Sequence, residues 1–411
     1  MKASARIDIK ALLQYAMLYL CFLNTSSIAR IIYGDMFTVF TFAIVVILVA
    51  LKFVKLLKWY TVSVGVLFIL VFFQHVMIQS DISLNSLANT FTTFLVAYCA
   101  VMIDADHFLK RFVQLTLVLA AISIVLFFVS LTPMESVMRV LLIQNHTISW
   151  TSNVTFGRFL YHHIPDYGRN VGIFREPGVY QLYLNLVLFI CLFWKDRIDF
   201  QDFRRYRNAI IIIVVAILTS MSTAGYLTML IIFAGYLFEI RSRLNARTIL
   251  LLVFGIVFVV CLAQTEMFYE VFWRKLQFGD GEFTSGTGNA RLASFVTDIN
   301  LIVKNPFGYG NLANWESVLD IAKNEQSSCV GLTAVLVTYG LPAGVLIYFL
   351  LFRAIKRSST NRLQYIVLTA VFVSGFLSQP WILSPLYLMV LAYSFAIYPA
   401  RVVVLPEGRV D

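Results

Sequence analysis

Charge is what this chain has least of. Of its 411 residues, 13% are Asp, Glu, Lys or Arg and 60% are apolar, whereas a soluble domain carries roughly 25% charged residues. A chain of this length with half that share cannot cover its own surface with polar groups. An ordinary water-soluble fold is excluded, and an all-α polytopic membrane protein is expected. Cysteine is scarce as well, with five in the chain. Cys21, Cys99, Cys191 and Cys261 fall inside apolar runs and Cys329 stands alone at the end of a polar stretch, so neither a disulfide framework nor a Cys/His metal site is available. The sequence has no internal repeat, no low-complexity tract and no Gly-x-Gly-x-x-Gly or Walker-type loop, which leaves nothing to suggest nucleotide chemistry. The net charge of +10 does not call for nucleic acid, because basic residues gather between apolar runs and mark the cytoplasmic side.

What is present is a series of apolar runs of membrane-crossing length. They lie near 11–23, 36–51, 60–78, 88–103, 112–131, 179–194, 248–265, 329–351, 364–379 and 382–399. The first run follows a basic start but no small-residue cleavage site precedes the polar turn at Asn24–Ser27, so it reads as a retained span. A further stretch, Asn208–Ile240, has basic residues on both flanks and must therefore cross an even number of times. It reads as two short helices meeting near Ser220-Met-Ser-Thr-Ala-Gly225, whose small and hydroxylic residues suit a turn. Twelve spans result, with both termini cytoplasmic. On that topology 22 of the 32 Lys and Arg residues lie inside and 10 outside, as the positive-inside bias requires.

Within this single membrane domain two long segments face outward, 132–178 and 266–328, and long loops are where sites belong. The first ends in Gly168-Arg-Asn-Val-Gly-Ile-Phe-Arg-Glu-Pro-Gly178, with Arg169 and Arg175 close to the membrane surface. Pro177 suits the first turn of a helix, and Glu176 before it is either a helix cap or a general base. The second opens with Phe268-Tyr-Glu-Val-Phe-Trp-Arg-Lys-Leu-Gln-Phe278, spaced as a helix in the headgroup layer. After a glycine-rich approach, Leu292, Phe295, Val296, Ile299, Ile302 and Val303 mark one face of a helix ending at Asn305-Pro306. Arg291 occupies the first turn of that helix, where free N–H groups and a guanidinium make a natural anion site. Beyond it, Phe307-Gly-Tyr-Gly-Asn-Leu-Ala-Asn-Trp315 offers Tyr309, Asn311 and Trp315, the residue types that stack on and hydrogen-bond to sugar rings. Ser222 starts a helix pointing outward from within the membrane, adding a positive helix end. The outward histidines are His146, His162 and His163, of which His163 is a candidate proton acceptor. Asp104-Ala-Asp106 and Asp280-Gly-Glu282 are the acidic pairs a divalent ion could use, the first on the wrong side and the second in an ordinary glycine-rich turn.

The order of these motifs resembles the bacterial O-antigen polymerase and O-antigen ligase superfamily. The residues that carry the resemblance are Arg169-x-x-Gly-Ile-Phe-x-Glu-Pro-Gly178 leading into a span, Arg291, Asn305-Pro-Phe-Gly-Tyr-Gly310 and Val337-Thr-Tyr-Gly-Leu341. The resemblance implies a fold similar to the C-type glycosyltransferases and a metal-independent, cofactor-free transferase in the inner membrane. Its implied substrates are undecaprenyl-pyrophosphate-linked oligosaccharides, joined outside the membrane, with a chain-length regulator and other polysaccharide assembly proteins as partners. Arg169 and Arg291, with Arg175, match its functional arginines. Ligase members carry an essential histidine in the second loop, and none occurs between Glu266 and Ser328, which favours a polymerase. The family's arginine at the tip of the broken helical pair is also missing here, with Ser220-Met-Ser-Thr-Ala-Gly225 in its place. A transporter of lipid-linked oligosaccharide is the rival from another class, although transporters place charge within the membrane and these spans are nearly free of it.

Overall fold

The apolar runs fold as helices. The computed structural model describes residues 8–25, 27–54, 57–78, 84–134, 142–145, 153–156, 161–163, 168–199, 203–241, 288–310, 330–378 and 383–402. Among these, α1 (Ile9–Asn24), α2 (Ile28–Ala50), α3 (Lys58–Ile78), α4 (Leu84–Met102) and α5 (Phe108–Ser130) precede the first large loop. They are followed by α6 (Pro177–Phe193), α7 (Phe203–Ser220), α8 (Thr223–Ile240), α9 (Gly288–Lys304), α10 (Gly331–Ser358), α11 (Arg362–Ser378) and α12 (Pro385–Val402). Every expected crossing has its helix except the run at 248–265, which lies outside the described residues. Among the described residues, four helical segments are long and apolar enough to cross a membrane: Tyr33–Ala50, Phe108–Ser130, Thr223–Ile240 and Gly331–Ser358. Shorter apolar helices accompany them, and large apolar side chains such as Met36, Val39, Ile69 and Phe238 stand exposed on the outside. A helical membrane protein presents its surface to lipid in this way.

At the centre is α6, in which every residue from Gly178 to Leu192 is buried. A helix apolar on all sides has no solvent face to offer, and this one packs against α5, α7, α8 and α11. Its two amides are paired internally: Asn185 Nδ2 donates to Gln181 Oε1 at 2.9 Å and to the Gly225 carbonyl on α8 at 3.2 Å. On the opposite side α4 joins α1, α2 and α12. Where the start of α1, the end of α4 and the start of α5 meet, Arg111 is buried and pairs with Asp104 at 2.7 Å and Asp8 at 3.3 Å, while donating to Gln14 Oε1 at 2.6 Å.

The first large loop holds structure that the sequence reading did not anticipate. Three short strands, β1 (Leu142–Asn145), β2 (Asn153–Phe156) and β3 (Tyr161–His163), form an antiparallel sheet in the order β1-β2-β3. Leu142 pairs with Phe156, and Val154 with His163.

Among the described residues the helical path breaks at Gly34 in α2, between α7 and α8, and at Gly340 in α10, and the last two breaks have a visible cause. The pair α7 and α8 is separated by Met221 in a left-handed conformation (φ 47°) and by Ser222, the N-cap of α8, whose Oγ accepts from the Gly225 N–H at 3.3 Å. In α10 the helical path is interrupted at Gly340 (φ 74°), two residues before Pro342. Proline has no N–H to give back to the carbonyl four residues earlier, so the Thr338 carbonyl needs another donor.

Candidate functional site

A break in a helix leaves carbonyls without their usual N–H partners, and within a membrane such groups must be satisfied by protein. Around the α7–α8 break the first loop supplies them. The Asn170 N–H donates to the Thr219 carbonyl at 3.0 Å, and Asn170 Nδ2 donates to Thr219 Oγ1 and to Ser123 Oγ, each at 3.1 Å. Ser123 Oγ also shares a hydrogen bond with the Tyr180 hydroxyl at 2.7 Å, and Asn170 Oδ1 accepts from the Gly172 N–H at 3.0 Å. The Leu218 carbonyl is taken by the Tyr226 hydroxyl at 2.7 Å. Asn170 is fully buried, so this contact pins the end of the loop against α5 and α7.

The rest of the segment follows from that anchor. Gly172 adopts φ 60°, and a Cβ there would sit 3.0 Å from the Tyr180 ring. Phe174 enters an aromatic cluster with Tyr183 at 4.8 Å and Phe22 at 6.3 Å, and its backbone pairs with Ser27 as an isolated antiparallel bridge. Arg169 and Arg175 are held on either side of this buried stretch, both half-buried. The Arg169 charge reaches the Tyr226 hydroxyl on α8, which puts it beside the broken pair. Glu176 is the N-cap residue of α6 by position: its carbonyl accepts from the Val179 and Tyr180 N–H groups, yet its side chain makes no capping hydrogen bond. The carboxylate is therefore not consumed by the helix. Ser222 is half committed, since its Oγ caps α8.

The second break is closed in the same manner by the segment after α9. Tyr309 N–H donates to the Val337 carbonyl at 2.8 Å, Gly310 N–H to the Thr338 carbonyl at 3.0 Å, and Leu341 N–H to the Pro306 carbonyl at 2.8 Å. In an unbroken helix Leu341 would have bonded to Val337; both instead pair with the inserted strap. Contact is so close that a Cβ on Gly340 would lie 2.4 Å from the Phe307 carbonyl carbon, and one on Gly308 would lie 2.5 Å from the Gly340 nitrogen. Thus Asn305–Gly310 and Val337–Leu341, distant in sequence, form one unit. Tyr309 belongs to its framework: it packs on Ile302 and Val337, and its hydroxyl donates to the Leu301 carbonyl at 3.3 Å. Burial raises the pKa of that hydroxyl, keeping it a donor.

In α9 the expected apolar face divides: Ile302 is buried against Val337, while the other five members point away from the protein. Leu292, Phe295, Val296, Ile299 and Val303 are exposed, whereas Ser294 and Asp298 are buried against α10. Asp298 accepts from the Thr333 hydroxyl in the first turn of α10, where a carboxylate suits the positive helix end. Arg291 lies in the first turn of α9, seven residues before Asp298; its side chain, like that of His163 at the end of β3, is outside the described residues. Asn311, Trp315, Asp280 and Glu282 lie outside them altogether.

Of the acidic pair Asp104 and Asp106, Asp104 is engaged by Arg111 and by His107, whose Nδ1 lies 3.0 Å away. Burial opposes the charge on Asp104, but hydrogen bonds from His107 and Arg111 outweigh it and hold the carboxyl below its ordinary pKa. Sequence reasoning missed Asn170, Ser123, Thr219 and Asp298. Asn170 stood inside a recognised motif, and an amide between two candidate arginines was the available signal. No family model matches this chain, and no curated protein sequence matches it.

Proposed function

We propose that the protein polymerises undecaprenyl-pyrophosphate-linked oligosaccharide repeat units into a surface polysaccharide, O-antigen or capsule, by glycosyl transfer at the periplasmic face of the bacterial inner membrane. The observation that carries this reading is the seating of Arg169 beside the α7–α8 break by the Asn170–Thr219 contact. A half-buried guanidinium on one side of the buried 170–174 stretch and a carboxylate, Glu176, left uncapped on the other supply the donor and the acceptor that the reaction requires. On the twelve-span reading with cytoplasmic termini, both face outward.

In the reaction a sugar hydroxyl of one lipid-linked unit attacks the anomeric carbon of another. The new C–O bond forms as the bond to the diphosphate breaks, the electron pair leaving with undecaprenyl pyrophosphate and the hydroxyl proton passing to a base. Negative charge builds on the departing diphosphate, and fixed donors in a water-poor site lower that barrier by several kcal/mol. Arg169, Arg175 and Arg291 are assigned to this role because a guanidinium stays charged and binds phosphate oxygens in pairs. Glu176 is the base, with His163 as its alternate. A single displacement inverts the anomeric configuration.

Supplying purified protein in nanodiscs with lipid-linked repeat units alone tests the reading. Polymer with inverted linkages and release of undecaprenyl pyrophosphate are expected. Transfer only onto an added lipid A core would make the protein a ligase, and translocation without a new bond would make it a transporter; either result overturns polymerisation.

A further inference from the structure

A fourth arginine joins Arg169, Arg175 and Arg291. Arg30 lies in the first turn of α2, before the kink at Gly34 (φ 42°). Its Nη1 donates to Asn24 Oδ1 at the end of α1, and its Nη2 donates to Asn89 Oδ1 on α4. Asn89 Oδ1 also accepts from Thr38 Oγ1 at 3.1 Å. Both partners of this guanidinium are neutral amides. Among the described residues Arg30 forms no ion pair, and the one carboxylate whose charge reaches it, Asp35, stays beyond ion-pair distance. Asn24 is buried, and its Nδ2 has no hydrogen-bond partner.

The nook is thus rich in donors and poor in acceptors. A guanidinium carries five N–H donors, an amide adds two, and the oxygens present are already shared. A buried donor left without an acceptor is unfavourable, and a polyanion supplies the acceptors that the nook lacks. The nook also has the right neighbours: Ser27, three residues before Arg30, is bridged to Phe174, and Arg175 follows directly.

We infer that Arg30, Asn24 and Asn89 hold a phosphate of a prenyl diphosphate substrate. Resting on the glycosyl-transfer reading, this adds a binding residue on the same face as Arg169 and Arg175. Joining two lipid-linked units brings two diphosphates to the outer surface, and one cluster of arginines beside the broken pair serves the departing one. Arg30 positions its ligand without touching the bond that breaks.

The test measures binding of undecaprenyl pyrophosphate, and of inorganic pyrophosphate as a competitor, to the full chain in zwitterionic nanodiscs. Arg30→Gln is expected to weaken prenyl diphosphate binding about tenfold or more and to raise KM while leaving kcat nearly unchanged, with Arg30→Lys recovering part of the loss. Asn24→Asp places an internal counter-ion beside the guanidinium and should weaken binding as well, which keeps the test open if Arg30→Gln fails to fold. Wild-type binding in both variants would overturn the inference and leave glycosyl transfer standing. Failure of the wild-type protein to bind prenyl diphosphate overturns both, and binding of inorganic pyrophosphate alone overturns the lipid-linked source.

Discussion

The Asn170 N–H donates to the Thr219 carbonyl at 3.0 Å, joining the end of the first large loop to the last turn of a broken helix. The bond matters because the same residue also fixes Ser123 and the turn at Gly172 through its side chain. Asn170→Ala keeps the backbone bond but strips the Gly172 N–H of its acceptor and Ser123 of a donor in a buried site. A loss of about 1–3 kcal/mol is expected, read as a lower Tm in detergent. Chain extension should fall further than stability does, since Arg169 is the adjacent residue.

The strap across α10 gives a sharper structural test. Gly340→Ala puts a methyl group 2.4 Å from the Phe307 carbonyl carbon and asks an L-residue to hold φ 74°. Relief requires the strap Asn305–Gly310 to leave, which strands the Val337 and Thr338 carbonyls. Proteolysis within 305–310 should become fast in the variant while remaining slow in the wild type. Equal resistance would show that the strap is held by something other than the broken helix.

How much of this was legible beforehand depended on whether the signal was local. The helices were, because an apolar run of membrane length states its own conformation, and the α7–α8 break was readable from Ser220-Met-Ser-Thr-Ala-Gly225. The small sheet was not: Leu142–Asn145 and Asn153–Phe156 pair across a loop whose composition gives little sign of register. The orientation of α9 was also hidden. Leu292, Phe295 and Val296 define a face in either case, and only the burial of Ser294 and Asp298 tells which side meets protein. The site residues divided similarly, with Arg169 and Glu176 visible as motif members while Asn170 and Arg30 owe their roles to partners tens of residues away.

Arg169 and Glu176 separate by kinetics. Arg169→Ala is expected to lower kcat by about 10²–10³, the usual loss when one donor to a developing anion is removed. Arg169→Lys should recover little, since an ammonium cannot replace a planar fork. Arg291→Ala should abolish extension with membrane insertion intact. Glu176→Gln, which preserves shape, should lower kcat and flatten its pH dependence on the acid side. An unchanged profile would transfer the proton-accepting role to His163.

The cluster of Asp104, His107 and Arg111 carries its own pH signature. Asp104 titrates below its ordinary value in the folded protein because its hydrogen bonds from His107 and Arg111 outweigh the cost of burial. The unfolded chain lacks these partners and binds the proton more readily, so the stabilisation is fully present above the unfolded carboxylate pKa, about 4. It is lost as pH falls through the lower folded value. Thermal unfolding followed from pH 6 downward should show a loss that Asp104→Asn removes, the variant starting lower but falling less steeply.

The outward face of α9 decides what that helix touches. Its buried side carries Ser294 and Asp298 meeting α10 and Ile302 packed on Val337, and its exposed side carries Leu292, Phe295, Val296, Ile299 and Val303. Five apolar side chains on one face of a helix are unfavourable in water and favourable in the outer headgroup layer. Phe295→Trp introduces a reporter at the middle of that face at little cost in volume. In brominated-lipid nanodiscs its emission should be blue-shifted and strongly quenched, whereas a tryptophan at Ser294, on the buried side, should escape quenching or disrupt the contact with α10. An unquenched Phe295→Trp would mean that protein, not lipid, covers this face.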